Sequence, residues 1–316
     1  MALRSGLNAQ LGFKSESTWG TAVTVDKFVP LVSENIKKDV ARIESSGILA
    51  GRRMLTTNQY TGGEVTVSGD INMELAQQGI GTLWKWALGA VSTTGAGPYT
   101  HTFTPGDLSD DHLTVQVGRP DTGGTVDAFT YSGAKCASWE IAAKVGENVT
   151  ASFSVVGKDE ATNTALVAAS FTNGVDKSFT FISGAISIGG TTNNVREFTF
   201  KGDNGLNVDR RFLGSANISE PLEAALREYG GDIGMEWEGF TQYNRFVAGT
   251  TATLSAFFSA GSDAQMQVLA NIRFDGETPE VAGREVLEQK LPFKAIATST
   301  DAAGLTVTVV NNDTTN

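Results

Sequence analysis

Histidine is the side chain that most often acts as a general base or a metal ligand, and this sequence of 316 residues contains two. His101 lies in a strand-like stretch, and His112 ends the acidic turn Asp107–His112, whose carboxylate oxygens suit a divalent cation. A solvated acidic turn explains the same residues more simply, and no pair of Cys or His residues has zinc-ligand spacing. We therefore expect no metal.

Nucleophilic and cofactor-binding patterns are also missing from the sequence. The single cysteine, Cys136, lies among Gly and Ala residues, which is typical of a small packed side chain. No Gly-x-Ser-x-Gly elbow, Walker loop or Gly-x-Gly-x-x-Gly turn occurs. Trp84 and Trp86 have rings that can stack on a ligand, but we favour core filling beneath a sheet. We expect no catalytic residue and no cofactor, and therefore no enzyme.

The composition favours strands and argues against a basic groove for nucleic acid. Charged residues make up 19% of the chain, Gly is abundant at 36 residues, and the net charge is −11, whereas soluble proteins average about 25% charged residues. One cysteine excludes an internal disulfide and indicates synthesis in a reducing cytosol. The start of the chain has no signal-peptide pattern, and no run of about 18 apolar residues occurs, so we expect no membrane anchor.

Alternation of apolar and polar residues is the main structural signal. From Glu64 to Leu75, apolar residues take one parity and polar or acidic residues take the other, which predicts a long half-buried strand with an acidic outer face. The same alternation recurs in Leu113–Val117, Val149–Val155 and Leu305–Val309. These patterns predict an all-β fold.

Two stretches have helical character. Apolar residues recur at spacings of three and four in Ile80–Leu88, and a glycine supplies a stop, so we predict a helix over residues 79–89. A second short helix is predicted over Leu222–Tyr229, because Ser219 is a suitable N-cap. The fold class is therefore all-β with one or two short helices.

The two halves of the chain resemble each other, which predicts a tandem duplication of one β domain. The matched segments keep the same order: Phe28–Asp39 with Phe198–Asp209, Asp70–Glu74 with Asp232–Glu236, Ala87–Gly89 with Val247–Gly249, and Trp139–Asp159 with Phe293–Asp313. Each copy then holds a long acidic strand, a short helical segment and further strands. The alternative is chance similarity between β-rich segments.

The duplication predicts two domains and a connector. Residues 1–160 form the first β domain, with an N-terminal arm, a long hairpin over residues 36–75 and the helix over residues 79–89. Residues 161–175 form the connector, and residues 176–316 form the second domain.

The acidic strand faces and two arginine pairs are the candidate functional residues. Flat sheets have edges that must be paired, and closure between subunits into a large barrel would pair them all and turn the acidic parity towards an aqueous lumen. The candidate lumen residues are Glu64, Asp70, Glu74, Asp232, Glu236 and Glu238. DNA moving through such a lumen must be repelled by the wall, because each neutralised phosphate would hold it. The arginine pairs, Arg52 with Arg53 and Arg210 with Arg211, are either anion sites or ring contacts with acidic surfaces on a neighbouring subunit.

A series of short motifs runs through most of the chain: Glu16–Thr24, Phe28–Leu31, Ile43–Ile48, Gly63–Glu74, Ala87–Gly89, Tyr99–Phe103 and Leu113–Arg119. Together they resemble the tail tube (major tail) proteins of long flexible-tailed phages, the siphophage type, as found in phages of actinobacteria. The resemblance implies β sandwiches or barrels with a flanking helix. It also implies stacked rings of six domains whose inner sheets join neighbours into a ring-shaped β-barrel around a DNA conduit.

The resemblance also implies partners and a location. The protein would be a virion component made in the cytoplasm of the host bacterium. Its partners would be copies of itself, the tape measure protein and phage DNA in the lumen, and the tail terminator and distal tail proteins. The resemblance supplies no catalytic residues.

Two domains per chain imply that three chains close a pseudo-hexameric ring, whereas six chains are needed if the repeat is illusory. We favour the trimer. The segment Ile36–Tyr60 is the candidate for long-hairpin ring contacts, with Leu206–Tyr229 as its counterpart. The alternative function is a non-catalytic β-sandwich binding module, such as a baseplate protein, an adhesin or a capsid decoration protein.

Overall fold

A computed structural model of the chain describes residues 5–172, 174–276, 278, 284, 286–298 and 304–314. Three parts of the predictions fall partly outside these ranges. They are the outermost residues of the two predicted domains, residue 173 of the predicted connector and part of the Phe293–Asp313 match. The described part contains nineteen strands and two α-helices. The prediction of an all-β fold with one or two short helices is therefore confirmed.

The strands and helices divide between two halves of the chain. The first half contains β1 (Gln10–Ser15), β2 (Lys27–Val29), β3 (Ser33–Glu34), β4 (Lys37–Glu44), β5 (Tyr60–Glu74), α1 (Gly81–Leu88), β6 (Gly89–Thr94), β7 (Tyr99–Pro105), β8 (Leu113–Pro120), β9 (Val126–Lys144), β10 (Thr150–Gly157) and β11 (Asp159–Ala161). The second half contains β12 (Gly184–Ile188), β13 (Thr191–Asn193), β14 (Val195–Asp203), β15 (Glu228–Glu236), α2 (Phe240–Ala248), β16 (Ala252–Ser259), β17 (Gln265–Phe274), β18 (Glu288–Ala295) and β19 (Leu305–Asn311).

The strongest sequence pattern forms the strand that it predicts. In β5 the apolar parity, which includes Val67 and Ile71, is buried, whereas the parity of Glu64 and Asp70 remains exposed or half-buried. The predicted first helix is α1, and it ends where Gly89 adopts a φ of 98° and donates its N–H to the carbonyl of Lys85.

The second predicted helix is wrong. Leu222–Tyr229 is irregular chain that runs into β15, and Leu226 in its middle is 91% exposed. A helix there would have no apolar face to bury, and a suitable N-cap at Ser219 does not stabilise a helix without such packing. The helix of the second half is α2. Gly249 follows its last residue as Gly89 follows the last residue of α1, which agrees with the match of Val247–Gly249 to Ala87–Gly89.

One strand differs from its predicted half-burial. In β8 both parities are buried, including the polar residues Thr114 and Gln116. Chain from the predicted connector covers the second face, since Gln116 accepts a hydrogen bond from the N–H of Val167 (2.9 Å) and donates one to the carbonyl of Ala165 (3.1 Å). The connector is therefore packed against the first half.

A single antiparallel sheet crosses both halves of the chain, and we call it the continuous sheet. Its strand order is β4, β5, β10, β9, β14, β15 and β18. The halves meet where β9 pairs with β14, from Ser138 opposite Asp203 to Lys144 opposite Glu197. The described strands leave this sheet unclosed: β4 is one edge, and at the other end β18 pairs with the last residues of β17.

Outer layers cover the apolar face of the continuous sheet. In the first half the outer order is β2, β1, β8, β9 and β11, and β9 bends from this layer into the continuous sheet. In the second half the order is β13, β12, β16, β17, β19, β7 and β6. Trp84 and Trp86 are buried as predicted, and the ring of Trp84 lies 5.4 Å from that of Trp139.

The two halves repeat the same strand pairings. In the first half these are β1–β2, β1–β8, β4–β5, β5–β10, β8–β9, β9–β10 and β9–β11. In the second half β12–β13, β12–β16, β14–β15, β15–β18, β16–β17, β17–β18 and β17–β19 pair in the corresponding way. Each helix follows the corresponding strand, β5 or β15. The hairpin β6–β7 has no counterpart among the described strands of the second half, and its strand β7 pairs with β19.

Two of the four sequence matches disagree with these pairings. Phe28 lies in β2, whereas Phe198 lies in β14, whose counterpart is β4 together with β3. Trp139–Asp159 was matched with β18 and β19, but the pairings make β17 and β18 the counterparts of β9 and β10. In both cases alternating strands align equally well when shifted, because period two carries no information about which strand is which.

Candidate functional site: the polar face of the continuous sheet

The antiparallel registers arrange the polar side chains of the continuous sheet in rows. One row is Asp70, Ser154, Ser138, Asp203 and Glu228, and the next is Asn72, Ser152, Glu140, Lys201, Gly230 and Lys294. The third is Glu74, Thr150, Ala142, Thr199, Asp232 and Pro292. Directly opposed residues project from the same face of a sheet. The rows therefore form one polar face that spans both halves.

The polar face is concave. Residues on six successive strands, from Asp70 on β5 to Lys294 on β18, line one open depression of about 730 Å³. The opposite face of the same strands carries the apolar parity and packs into the core. The curvature therefore turns the charged residues inwards and the apolar residues towards the outer layers.

The structure brings four of the six predicted lumen residues onto this face: Asp70, Glu74, Asp232 and Glu236. Glu64 has the same parity but lies further along β5, where its carboxylate is 3.6 Å from Arg211 Nε. Glu238 lies beyond the end of β15 and accepts a hydrogen bond from Asn194 Nδ2 at 3.0 Å. The strand alternation therefore does not extend to Glu238.

Other charges on the face were missed by the sequence reasoning. The rows add the carboxylates of Glu140, Glu197, Asp203, Glu228 and Glu288, and the ammonium groups of Lys144, Lys201, Lys290 and Lys294. Lys290 lies 3.7 Å from Asp232, and Lys294 lies 2.7 Å from Glu228. The hydrogen bond from Lys294 lowers the pKa of Glu228. The face is therefore a mixed surface with an excess of carboxylates.

A readable signal for some of these charges existed in β18. Its polar or charged residues Glu288, Lys290 and Lys294 alternate with the buried Leu291 and Phe293. The three lysines of β14 and β18 separate carboxylates that would otherwise repel one another across the sheet.

The arginine pairs have different environments. Arg52 and Arg53 lie at the exposed tip of the hairpin between β4 and β5. Arg211 is held within its own chain, where it donates hydrogen bonds to the carbonyls of Val65 (3.1 Å) and Ala216 (3.0 Å). Arg210 donates to the carbonyl of Glu220 at 3.1 Å. The guanidinium groups of Arg210 and Arg211 therefore hold a loop in place.

That loop, residues 204–227 between β14 and β15, folds back over the first half of the chain. Lys135, which is only 1% exposed, forms an ion pair of 2.5 Å with Glu220 and donates to the carbonyl of Leu108 at 2.8 Å. Asn204 donates to the carbonyls of Ala87 and Cys136, both at 3.0 Å. We call residues 204–227 the clasp, because they fasten the second half to the first.

The histidines and the cysteine have structural roles. His101 is buried, and its ring nitrogens contact Thr93 Oγ1 (2.8 Å) and Asn311 Oδ1 (3.1 Å), so it joins β7 to β19. Burial raises the pKa of the Cys136 thiol, which disfavours the reactive thiolate. Nowhere in the described ranges do three or more His, Cys, Asp or Glu side chains gather as a metal site requires.

The other histidine belongs to a network around Glu16 in the N-terminal motif. The Glu16 carboxylate accepts hydrogen bonds from Thr114 Oγ1 (2.8 Å) and from the N–H groups of Gly133 (2.9 Å) and Gly20 (2.7 Å). His112 Nδ1 lies 3.4 Å from the same carboxylate. Burial by itself would raise the pKa of Glu16, but these hydrogen bonds outweigh it and lower that pKa. The acidic turn that ends at His112 therefore helps to anchor β1 to β8.

These features define a class of protein that presents a curved charged sheet, which is left unclosed and carries an open depression on its polar face. A family model described as phage tail tube protein matches residues 6–295. The chain therefore belongs to the phage tail tube family, and the resemblance to tail tube proteins is confirmed. No curated protein sequence matches the chain.

Family membership makes the protein a structural component of the virion that self-assembles into a tail tube. Within the described residues, neither α1 nor α2 has the length and apolarity to cross a membrane.

Proposed function

We propose that the chain builds the tail tube of a long flexible-tailed phage as stacked rings, with the polar face of the continuous sheet lining the DNA conduit. The observation that carries this proposal is the concave, unclosed sheet with its excess of carboxylates. Such a wall repels phosphates, so DNA and the tape measure protein pass through it without being held. As a structural virion subunit made in the host cytoplasm, the chain has no catalytic role.

We further propose that each chain is a tandem duplication of one tube domain and that three chains close a pseudo-hexameric ring. The seven pairings repeated between the halves support the duplication. Pairing of β9 with β14 joins two domains within a chain, and β17, the counterpart of β9, supplies the equivalent joint with β4 of the next chain. The tail terminator and distal tail proteins then meet the two ends of the stack.

Electron microscopy of the concentrated protein tests the assembly. We expect hollow filaments whose helical reconstruction shows three identical chains per ring, with Asp70 and Asp232 facing the lumen. Six identical chains per ring would contradict the trimer, and a chain that stays monomeric with its tail partners present would contradict the tube.

Charge reversal tests the lumen. The variant Asp70→Lys, Glu74→Lys, Glu140→Lys should still assemble, because these side chains lie on an open face, but DNA should be retained in the tail during ejection. The matched control reverses the exposed Asp127 and Asp176, which lie away from the polar face, and should eject normally. Normal ejection from tubes that carry the first variant would place the lumen on another face.

A further inference from the structure

The clasp has a counterpart in the first half of the chain. The clasp joins β14 to β15, and residues 40–65 make the corresponding connection from β4 to β5, because Asp39 pairs with Thr66 as Asp203 pairs with Glu228. The two connections are of similar length. The clasp folds over the first half, whereas the tip of the β4–β5 hairpin, residues 45–59, projects from its own chain with Ile48 96% exposed.

The clasp covers one end of α1. Asn204 donates to the carbonyl of Ala87, and Arg227 donates to the carbonyls of Leu88 (3.0 Å) and Gly106. These carbonyls lie at or just beyond the C-terminal end of α1, where the helix carries partial negative charge, so an arginine there is doubly stabilising. Leu88 is fully buried as a result.

The corresponding end of α2 is exposed within the chain. Val247 is 63% exposed, and Ala248 and Gly249 are exposed as well. At the opposite end of α2, Phe240 is 66% exposed. Helix α2 thus presents an apolar surface beside an uncovered C-terminal end, and the acidic side chain of Glu238 lies just before its first turn.

The hairpin tip complements this surface. It carries the exposed apolar residues Ile48 and Met54, together with Arg52 and Arg53, in a chain whose net charge is −11. The clasp likewise places an arginine, Arg227, at the C-terminal end of α1. No other connection in the repeated topology corresponds to the clasp.

We propose that the hairpin tip of a second copy packs on α2, with Arg52 or Arg53 at the C-terminal end of α2 in the position that Arg227 holds at α1. This inference rests on the proposed ring of tandem domains. In that ring the domain next to each helix carries either the clasp or the β4–β5 hairpin. The second copy is the lateral neighbour whose β4 lies next to β17, as β14 lies next to β9 within the chain. Each domain in the ring is then clasped once, alternately from within the chain and from the next chain.

Cysteine cross-linking tests this contact, because the native Cys136 is buried and unreactive. The double variant Met54→Cys, Val247→Cys, assembled and treated with a short bis-maleimide, should give covalent dimers and trimers. The matched control Met54→Cys, Ile182→Cys places the second thiol on another exposed apolar residue and should give none. The same samples are examined by microscopy.

The outcomes separate this inference from the proposed function. Tubes without the Met54–Val247 cross-link would overturn the hairpin contact and leave the tube in place, whereas absence of tubes from the unmodified protein would overturn both. Val247→Asp provides a second readout: it should abolish tubes while the thermal midpoint of the unassembled chain is unchanged, and Ile182→Asp should assemble normally. Normal tubes from Val247→Asp would also overturn the contact.

Discussion

The helices α1 and α2 occupy the same place in the repeated topology, yet one is buried and the other is exposed. Helix α1 has only Lys85 outside the buried set, whereas the only buried residue of α2 is Gln242. Two elements that lie on α1 account for the difference: the hairpin β6–β7, which has no counterpart among the described strands of the second half, and the clasp. The first half thus buries α1 with its own chain, whereas the second half leaves α2 exposed.

The comparison teaches that the halves of a repeated fold can divide stability and assembly between them. Aromatic residues on and before α2 still contact one another, with the ring of Trp237 5.6 Å from that of Phe240. This cluster holds α2 together without an outer layer, so the surface remains available to a partner.

Truncation of one matched apolar residue in each helix should give the largest contrast. Leu88→Ala removes a fully buried side chain and should lower the free energy of unfolding by about 3 kcal/mol. Val247→Ala removes an exposed side chain and should change it by less than about 0.5 kcal/mol. Urea unfolding of the unassembled chain measures both, and equal losses would show that α2 is packed as well as α1.

Removal of the arginine at the end of α1 should have a smaller effect. Arg227→Ala leaves two carbonyls without their charged donor and should cost about 2 kcal/mol in the same measurement. Arg53→Ala should leave the stability of the unassembled chain within about 0.5 kcal/mol, but it should raise the protein concentration needed for tubes. An Arg227→Ala chain as stable as the unmodified protein would mean that the clasp stays closed without its arginine.

The smallest expected effect is the pH dependence that Glu16 gives to the first half. The lowered pKa of Glu16 means that its carboxylate stabilises the folded state above the ordinary value of 4.5, and that this contribution is lost as the pH falls through the folded-state pKa. The corresponding connection between β12 and β13 is the turn at Gly189 and Gly190, which has no carboxylate. Acidification should therefore loosen the first half in particular.

Urea unfolding across this pH range, on the unmodified chain and on Glu16→Gln, isolates the contribution of Glu16 from that of the other carboxylates. The glutamine variant should be less stable near neutral pH, and the difference between the two proteins should narrow as the pH falls. A constant difference at every pH would show that Glu16 is not the acid-sensitive group.

Local patterns in the sequence were sufficient for β5 and α1. Alternation in β5 is long enough to fix which residues face the core, and Gly89 marks the end of α1 by its backbone conformation. The Leu222–Tyr229 helix failed because tertiary contacts decide that segment, where Glu220 pairs with Lys135 far away in the chain. Capping signals are too weak to outweigh such contacts.

The polar face could be predicted only in part for a related reason. Parity identified Asp70 and Asp232 within their own strands, but the position of Glu140 between them depends on β9 pairing with both β10 and β14. Such partners are set by long-range topology, which strand periodicity does not encode. The roles of Glu16 and of Arg227 likewise depend on backbone groups that approach them from distant segments.

The pairing of β9 with β14 has a consequence for how quickly a ring can begin to form. When two separate molecules meet, they lose roughly 4–15 kcal/mol of translational and rotational freedom. Domains held on one chain meet at the high effective concentration that their connector sets. Because this joint forms during folding, a chain that enters the proposed ring already has the contact between its two halves, and only its outer edges are left to find a partner.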